Sequence, residues 1–197
     1  TTPRLAKSFH ASGTRFLQRD TSTVVSRAGA KLVEGLDLLR LCGCKVGVSA
    51  HWLELGASPG GMTSELLERG FRVTALDRAA LSERISRHPA LVFHQQDVSS
   101  FQPQTRERFD ALLCDMNGPW EASAQQVMRL AGVLRPESPI VFTLKFNSLS
   151  IPQEVVEVVA KLREQFLRAG CTPLLVTHAS SNRSELSFLA QKNRPEA

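Results

Sequence analysis

The stretch His51-Trp-Leu-Glu-Leu-Gly-Ala-Ser-Pro-Gly-Gly-Met-Thr63 decides how this chain is read. An apolar run closes at Leu55, a Gly/Ser/Pro turn follows, and a helical segment opens near Gly60. In α/β domains, strand, glycine turn and helix N-terminus bring backbone N–H groups close to a ligand. Glycine suits the turn because a Cβ would block the approach and disfavour positive φ. The pattern is not G-x-G-x-x-G, since Ser58 stands at the second glycine position. Gly56 to Gly61 followed by Met62-Thr63 comes near a Walker loop. Met62, however, replaces the lysine that would meet the β/γ-phosphates. The loop argues against nucleotide hydrolysis and calls for a ligand carrying less negative charge.

Outward from this turn, strands and helices alternate. Upstream, a helical pattern runs from Ser26, a plausible N-cap, through Leu32, Val33, Leu36, Leu38, Leu39 and Leu41 to a stop at Gly43. Downstream, Met62 to Leu67 reads as a crossover helix closed by Gly70. Phe71–Asp77, Ala90–His94, Phe109–Asp115 and Pro139–Lys145 read as further strands. A short helix is expected at 81–87, a helix at 122–134, and a long amphipathic one from Pro152 to Ala169, ended by Gly170. Pro173–Thr177 and Glu185–Ala190 complete the set as a hairpin pair. Such alternation predicts a mostly parallel sheet covered on both faces, with its ligand at the carboxyl ends of the strands.

The chain has 197 residues, 42 % hydrophobic and 22 % charged, as expected of one soluble α/β domain. No apolar run approaches the roughly 20 residues of a membrane span, and no signal-peptide pattern is present. The chain opens on Thr1 rather than methionine, which leaves room for a preceding domain. Its net charge of +5 is unevenly spread: residues 1–45 hold eight Lys/Arg against three Asp/Glu, and the remainder balances at sixteen each. We therefore divide the chain into a basic arm, 1–25, and a ligand-binding domain, 26–197, and expect a polyanionic partner such as nucleic acid. Cys42-x-Cys44 lacks zinc spacing and no second pair follows, so no metal is expected. Free thiols fit a reducing cytoplasm.

Four charged residues close successive strands or follow them on one rim: Asp77, Asp97, Asp115 and Lys145. Asp77, sixteen residues past Gly61, is placed to accept the hydroxyl hydrogens of a ribose. Asp97 is placed for the exocyclic amine of a purine, and Asp115, beside the glycine turn, for a cationic group. Together they describe a nucleoside pocket without phosphates. S-adenosylmethionine, an adenosine bearing a sulfonium and an ammonium, fits it.

Ser26-Arg-Ala-Gly-Ala-Lys31, Leu55-Gly-Ala-Ser-Pro-Gly-Gly61, Cys114-Asp115-Met116, Thr143-Leu-Lys145 and Ser184-Glu185 resemble the FtsJ-like ribose 2′-O-methyltransferases. Within that family they are most similar to the branch that methylates a cytidine ribose of bacterial large-subunit rRNA. The resemblance spans residues 26–191. It implies a Rossmann-like class I methyltransferase fold, with a seven-stranded, mostly parallel sheet, an antiparallel final strand and helices on both faces. It also implies a tetrad of Lys31, Asp115, Lys145 and Glu185, with Lys145 as general base. Cofactor contacts are implied at Ser26, Gly56, Ser58, Pro59, Gly60, Gly61, Asp77, Asp97 and Asp115. Singly, Lys31 is an ordinary helix-surface lysine and Glu185 an ordinary strand residue; only the joint match selects them. The expected partner is RNA, foremost large-subunit rRNA, with a monomeric enzyme, no metal and no membrane. A non-catalytic RNA-binding module, a tRNA or mRNA-cap enzyme, and a small-molecule methyltransferase are the alternatives. The sequence departs from the family at Met62 and at Asp115-Met-Asn-Gly-Pro-Trp120, where many relatives carry a shorter apolar turn. It departs again at Leu186-Ser-Phe188. With no tyrosine, and phenylalanines at core positions, base recognition is expected from the basic arm or from another domain.

Overall fold

The computed structural model describes residue 25 and residues 28–146, 152–179 and 184–195. In chain order the elements are α1 (Ala28–Leu41), β1 (His51–Leu55), α2 (Gly61–Glu68), β2 (Arg72–Asp77), α3 (Glu83–Ser86) and β3 (Leu91–Gln95). There follow β4 (Ala111–Cys114), α4 (Trp120–Leu130), β5 (Pro139–Lys145), α5 (Pro152–Arg168), β6 (Cys171–Thr177) and β7 (Glu185–Lys192). The sheet runs β3-β2-β1-β4-β5-β7-β6. β1 pairs in parallel with β2 and β4, as do β2 with β3 and β4 with β5. β7 enters antiparallel between β5 and β6. Strand order reverses between β1 and β4, so a crevice opens there beyond the carboxyl ends of the strands.

The central strands are buried on both faces, which is why they read as unbroken apolar runs. β4 is buried at all four positions, and its side chains divide by period two. Leu112 and Cys114 join Leu53, Leu55, Phe142, Phe166 and Phe188 on the side covered by α4 and α5. Ala111 and Leu113 join Trp52, Val73, Val141 and Leu189 on the other side, against Leu32 and Leu39 of α1 and Leu66 of α2.

The expected α/β sheet is present, and its departures from the sequence reading have local causes. The strand expected over 109–115 shortens to β4 because Phe109 makes only a bridge to Leu134, and the Asp110 carboxylate accepts the His51 N–H at 2.8 Å. The helix expected over 81–87 shrinks to α3, with Ser82 at its N-cap accepting from the Arg84 N–H. The helix at 122–134 begins two residues earlier, at Trp120, and ends in a 3-10 turn, Ala131–Val133. Residues 1–24 of the basic arm, and Ser26, expected as N-cap and cofactor contact, lie outside the described residues. Among the described residues, no helix is long and apolar enough to cross a membrane and no side-chain cluster could hold a metal.

Candidate active site

In the antiparallel register of β5 and β7, Lys145 stands directly opposite Glu185. Val141 and Leu189, on the same faces of their strands, pack with Leu32 of α1. Both charged side chains therefore point to the side that α1 covers, and α1 supplies Lys31. The Lys31 ammonium pairs with Glu185 Oε1 and lies 3.6 Å from Asp115 Oδ2. Lys145 Nζ lies 3.0 Å from Asp115 Oδ1. The result is a line of alternating charge, Glu185–Lys31–Asp115–Lys145, with side-chain exposures of 11–19 %. Partial burial of two cations is tolerable because two carboxylates neutralise them.

Lys145 is held further by backbone and amide. Its Nζ donates to the Asp115 carbonyl at 2.9 Å and to Asn117 Oδ1 at 2.8 Å. Asp115 Oδ1 is buried and accepts no hydrogen bond among the described residues, so its 3.0 Å approach to Lys145 is a charge contact without hydrogen-bond alignment.

On the other side of the 115–117 segment a cleft of about 180 Å³ is lined by Gly56, Asp77, Arg78, Gln96, Asp97, Val98, Met116 and Asn117. Gly56 has φ +79°, and a Cβ there would stand 2.8 Å from the Met116 backbone. This glycine lets the turn after β1 close against the segment after β4. Asp77 is fixed from two directions: Oδ2 accepts the Ser58 N–H and Oδ1 the Ala79 N–H, both at 2.9 Å. Each oxygen keeps a lone pair for a ligand hydroxyl. At the rim, the Ser99 hydroxyl and amide hydrogen-bond Asp97 and hold its carboxyl below the ordinary range. These residues fit an adenosine: acids for ribose and amine, and a glycine wall.

The rest of the glycine turn is engaged elsewhere. Ser58 Oγ donates to the Ala80 carbonyl, a Cβ on Gly60 would run into Ile85, and Gly61 is buried beneath Gly29 of α1. Thus Gly56, Asp77 and Asp97 come together in one cleft; Ser58, Pro59, Gly60 and Gly61 shape the turn but are not among its lining residues.

The model of the FtsJ-like methyltransferase family matches residues 24–186. The chain belongs to the FtsJ-like methyltransferase family. The cofactor of these methyltransferases is S-adenosylmethionine. "Ribosomal RNA large subunit methyltransferase M" of Halorhodospira halophila is 36 % identical over 176 residues, covering 86 % of this chain and 49 % of that protein. The chain spans half or less of the length of the first curated relatives it matches. A solved structure from Streptococcus thermophilus superposes with a TM-score of 0.73 at 17 % identity, over 91 % of this chain and 70 % of the other. Fibrillarin from Aeropyrum pernix, solved with natively bound S-adenosyl-L-methionine, gives 0.60 at 19 % identity, over 82 % and 76 %. At such identities the two structures show a shared fold.

Two further residues of this FtsJ-like chain escaped the sequence reading. Asn117 receives Lys145, but a lone asparagine after a strand carries no signal. Glu54 is 2 % exposed beneath α2 and accepts from the Thr63 hydroxyl at 2.8 Å. Burial pushes its carboxyl up to about 8, and nearby Asp115 and Asp77 add to that. Its signal was available, since an acid inside an otherwise apolar parallel strand must be buried.

Proposed function

We propose that this chain methylates a ribose 2′-hydroxyl of RNA, in 23S rRNA, using S-adenosylmethionine, with Lys145 as general base. The observation that carries the reading is the place of Lys145: its Nζ donates to Asn117, which lines one cleft, and Lys145 lines a second. The first is the nucleoside-shaped one behind Gly56 and Met116; the second, of about 500 Å³, is lined by Lys145 itself and by residues 118–121. We assign the methyl donor to the first cleft and the acceptor ribose to the second.

When bound, S-adenosylmethionine supplies a methyl already activated by its sulfonium. The chain must therefore position a ribose hydroxyl and take its proton. Lys145 Nζ, once it has lost its own proton, accepts that of the 2′-hydroxyl. Asp115 fixes Lys145 through carboxylate and carbonyl, and Asn117 through its amide oxygen. Lys31, clamped by Glu185, places a cation beside the same carboxylate. Asp77 and Asp97 are assigned to the adenosine, with Gly56 as its wall. The basic arm, 1–25, is assigned to the RNA backbone. The name of the relatives, ribosomal RNA large subunit methyltransferase M, supports the choice of large-subunit rRNA, and action as a cytoplasmic monomer belongs to the same reading.

Transfer of labelled methyl groups to unmodified 23S rRNA tests the proposal. Lys145→Ala should lower the rate by about 10²–10⁴-fold while S-adenosylhomocysteine binds as before. Equal incorporation by variant and wild type removes Lys145 as the base.

A further inference from the structure

The cleft that Lys145 shares with the start of α4 carries an aromatic platform that the tetrad does not use. Trp120, first residue of α4, lines it together with Lys145, and the Lys161 ammonium sits over its ring, 5.7 Å from the centroid. The half-buried ring packs against the core, and the face that carries the Lys161 ammonium is turned to the cleft that both residues line. The remaining charges on the walls are carboxylates, Glu121, Glu154 and Glu157.

Resting on the methyl-transfer reading above, we propose that this cleft holds the base of the target nucleotide, stacked on Trp120. A ribose whose 2′-hydroxyl reaches Lys145 must place its base within a few ångströms of that amine, and this is the cleft that Lys145 lines. RNA is read chiefly through splayed-out bases stacked on aromatic side chains. Three carboxylates against two lysines disfavour a phosphodiester there but suit an uncharged ring whose edge donates N–H groups. As the base enters, Lys161 gives up its place over the ring and is free to meet a neighbouring phosphate. The aromatic residue for base recognition, not apparent among the phenylalanines, is this tryptophan.

The chain's two tryptophans make the test direct, because Trp52 is fully buried. The full chain, saturated with S-adenosylhomocysteine, is titrated with a mixed-sequence single-stranded RNA dodecamer and with an abasic ribose-phosphate dodecamer. RNA should quench the Trp120 emission, and the abasic strand should not. Trp120→Ala should abolish the quenching and weaken RNA binding about five- to a hundredfold; Trp120→Phe should recover most of the affinity. Unchanged S-adenosylhomocysteine binding in both variants verifies the fold. Quenching by the abasic strand, RNA binding without quenching, no RNA binding, or wild-type affinity in Trp120→Ala overturns the proposal. Base-dependent quenching by a protein that methylates no rRNA would instead sink the methyl-transfer reading and leave the base site standing. Normal rRNA methylation with an indifferent Trp120→Ala does the reverse.

Discussion

Glu54 shows how far one side chain can set the pH response. In the folded protein its carboxyl ionises at about 8, against an ordinary 4.5, because burial penalises the charge. Between those values the folded state keeps a proton that the unfolded state has lost, so stability falls as pH rises through this window. Below it both states are protonated; above it both are ionised and the full cost is present. Glu54→Gln keeps the shape and an acceptor for Thr63 but cannot ionise. Its stability advantage over wild type should be absent near pH 4, grow from pH 5 to 8, then level off at a few kcal/mol. Urea midpoints of both proteins at pH 4, 6 and 9 measure this. A gap that does not widen with pH would mean that Glu54 is ionised in the fold.

At the scale of elements, α1 has to lie close to α2, and Gly29 is where they meet. A Cβ there would stand 2.9 Å from the Gly61 carbonyl and from Glu65 Cγ. Glycine to alanine inside a helix normally stabilises by about 1 kcal/mol. Here the carbonyl is backbone and cannot yield, so Gly29→Ala should destabilise by about 1–3 kcal/mol. It should also tilt α1, and Lys31, two residues along, should leave the line of charges with it. Thermal melting and methyl transfer measured together would show a folded protein with a disproportionate loss of activity. A variant as stable and active as wild type would mean that the helices have room to part. Strands and crossover helices were legible because burial on both faces leaves unbroken apolar runs such as Ala111–Cys114. What their sequence did not announce was where they stop. The carboxylate that caps β1 at His51 belongs to Asp110, 59 positions away.

For the whole molecule, the order of strand ends placed Asp77, Asp97 and Asp115 along one rim, and Gly56, Asp77 and Asp97 share a cleft there. The meeting of Lys31 with Glu185 was not legible from spacing: it needs β7 inserted antiparallel beside β5 and α1 laid over both. Only the family resemblance pointed to it. The cleft sits where the strand order reverses, and it is lined by Asp77 from the β1–β3 half and by Met116 and Asn117 from the β4 side. Binding confined to the folded state should raise stability by about 2.7 kcal/mol at a hundredfold excess over Kd. In a domain of this size that is a rise in Tm of about 5–10 °C. S-adenosylhomocysteine should produce it. ATP at the same concentration should not: Met62, where a phosphate-binding loop keeps its lysine, is 3 % exposed and packed into the core. Both compounds share the adenosine, so the comparison isolates what the ligand carries beyond it. Equal shifts with the two compounds would mean that Gly56–Gly61 accepts phosphate after all, and the reading of this turn as one wall of a methyl-donor pocket would fail.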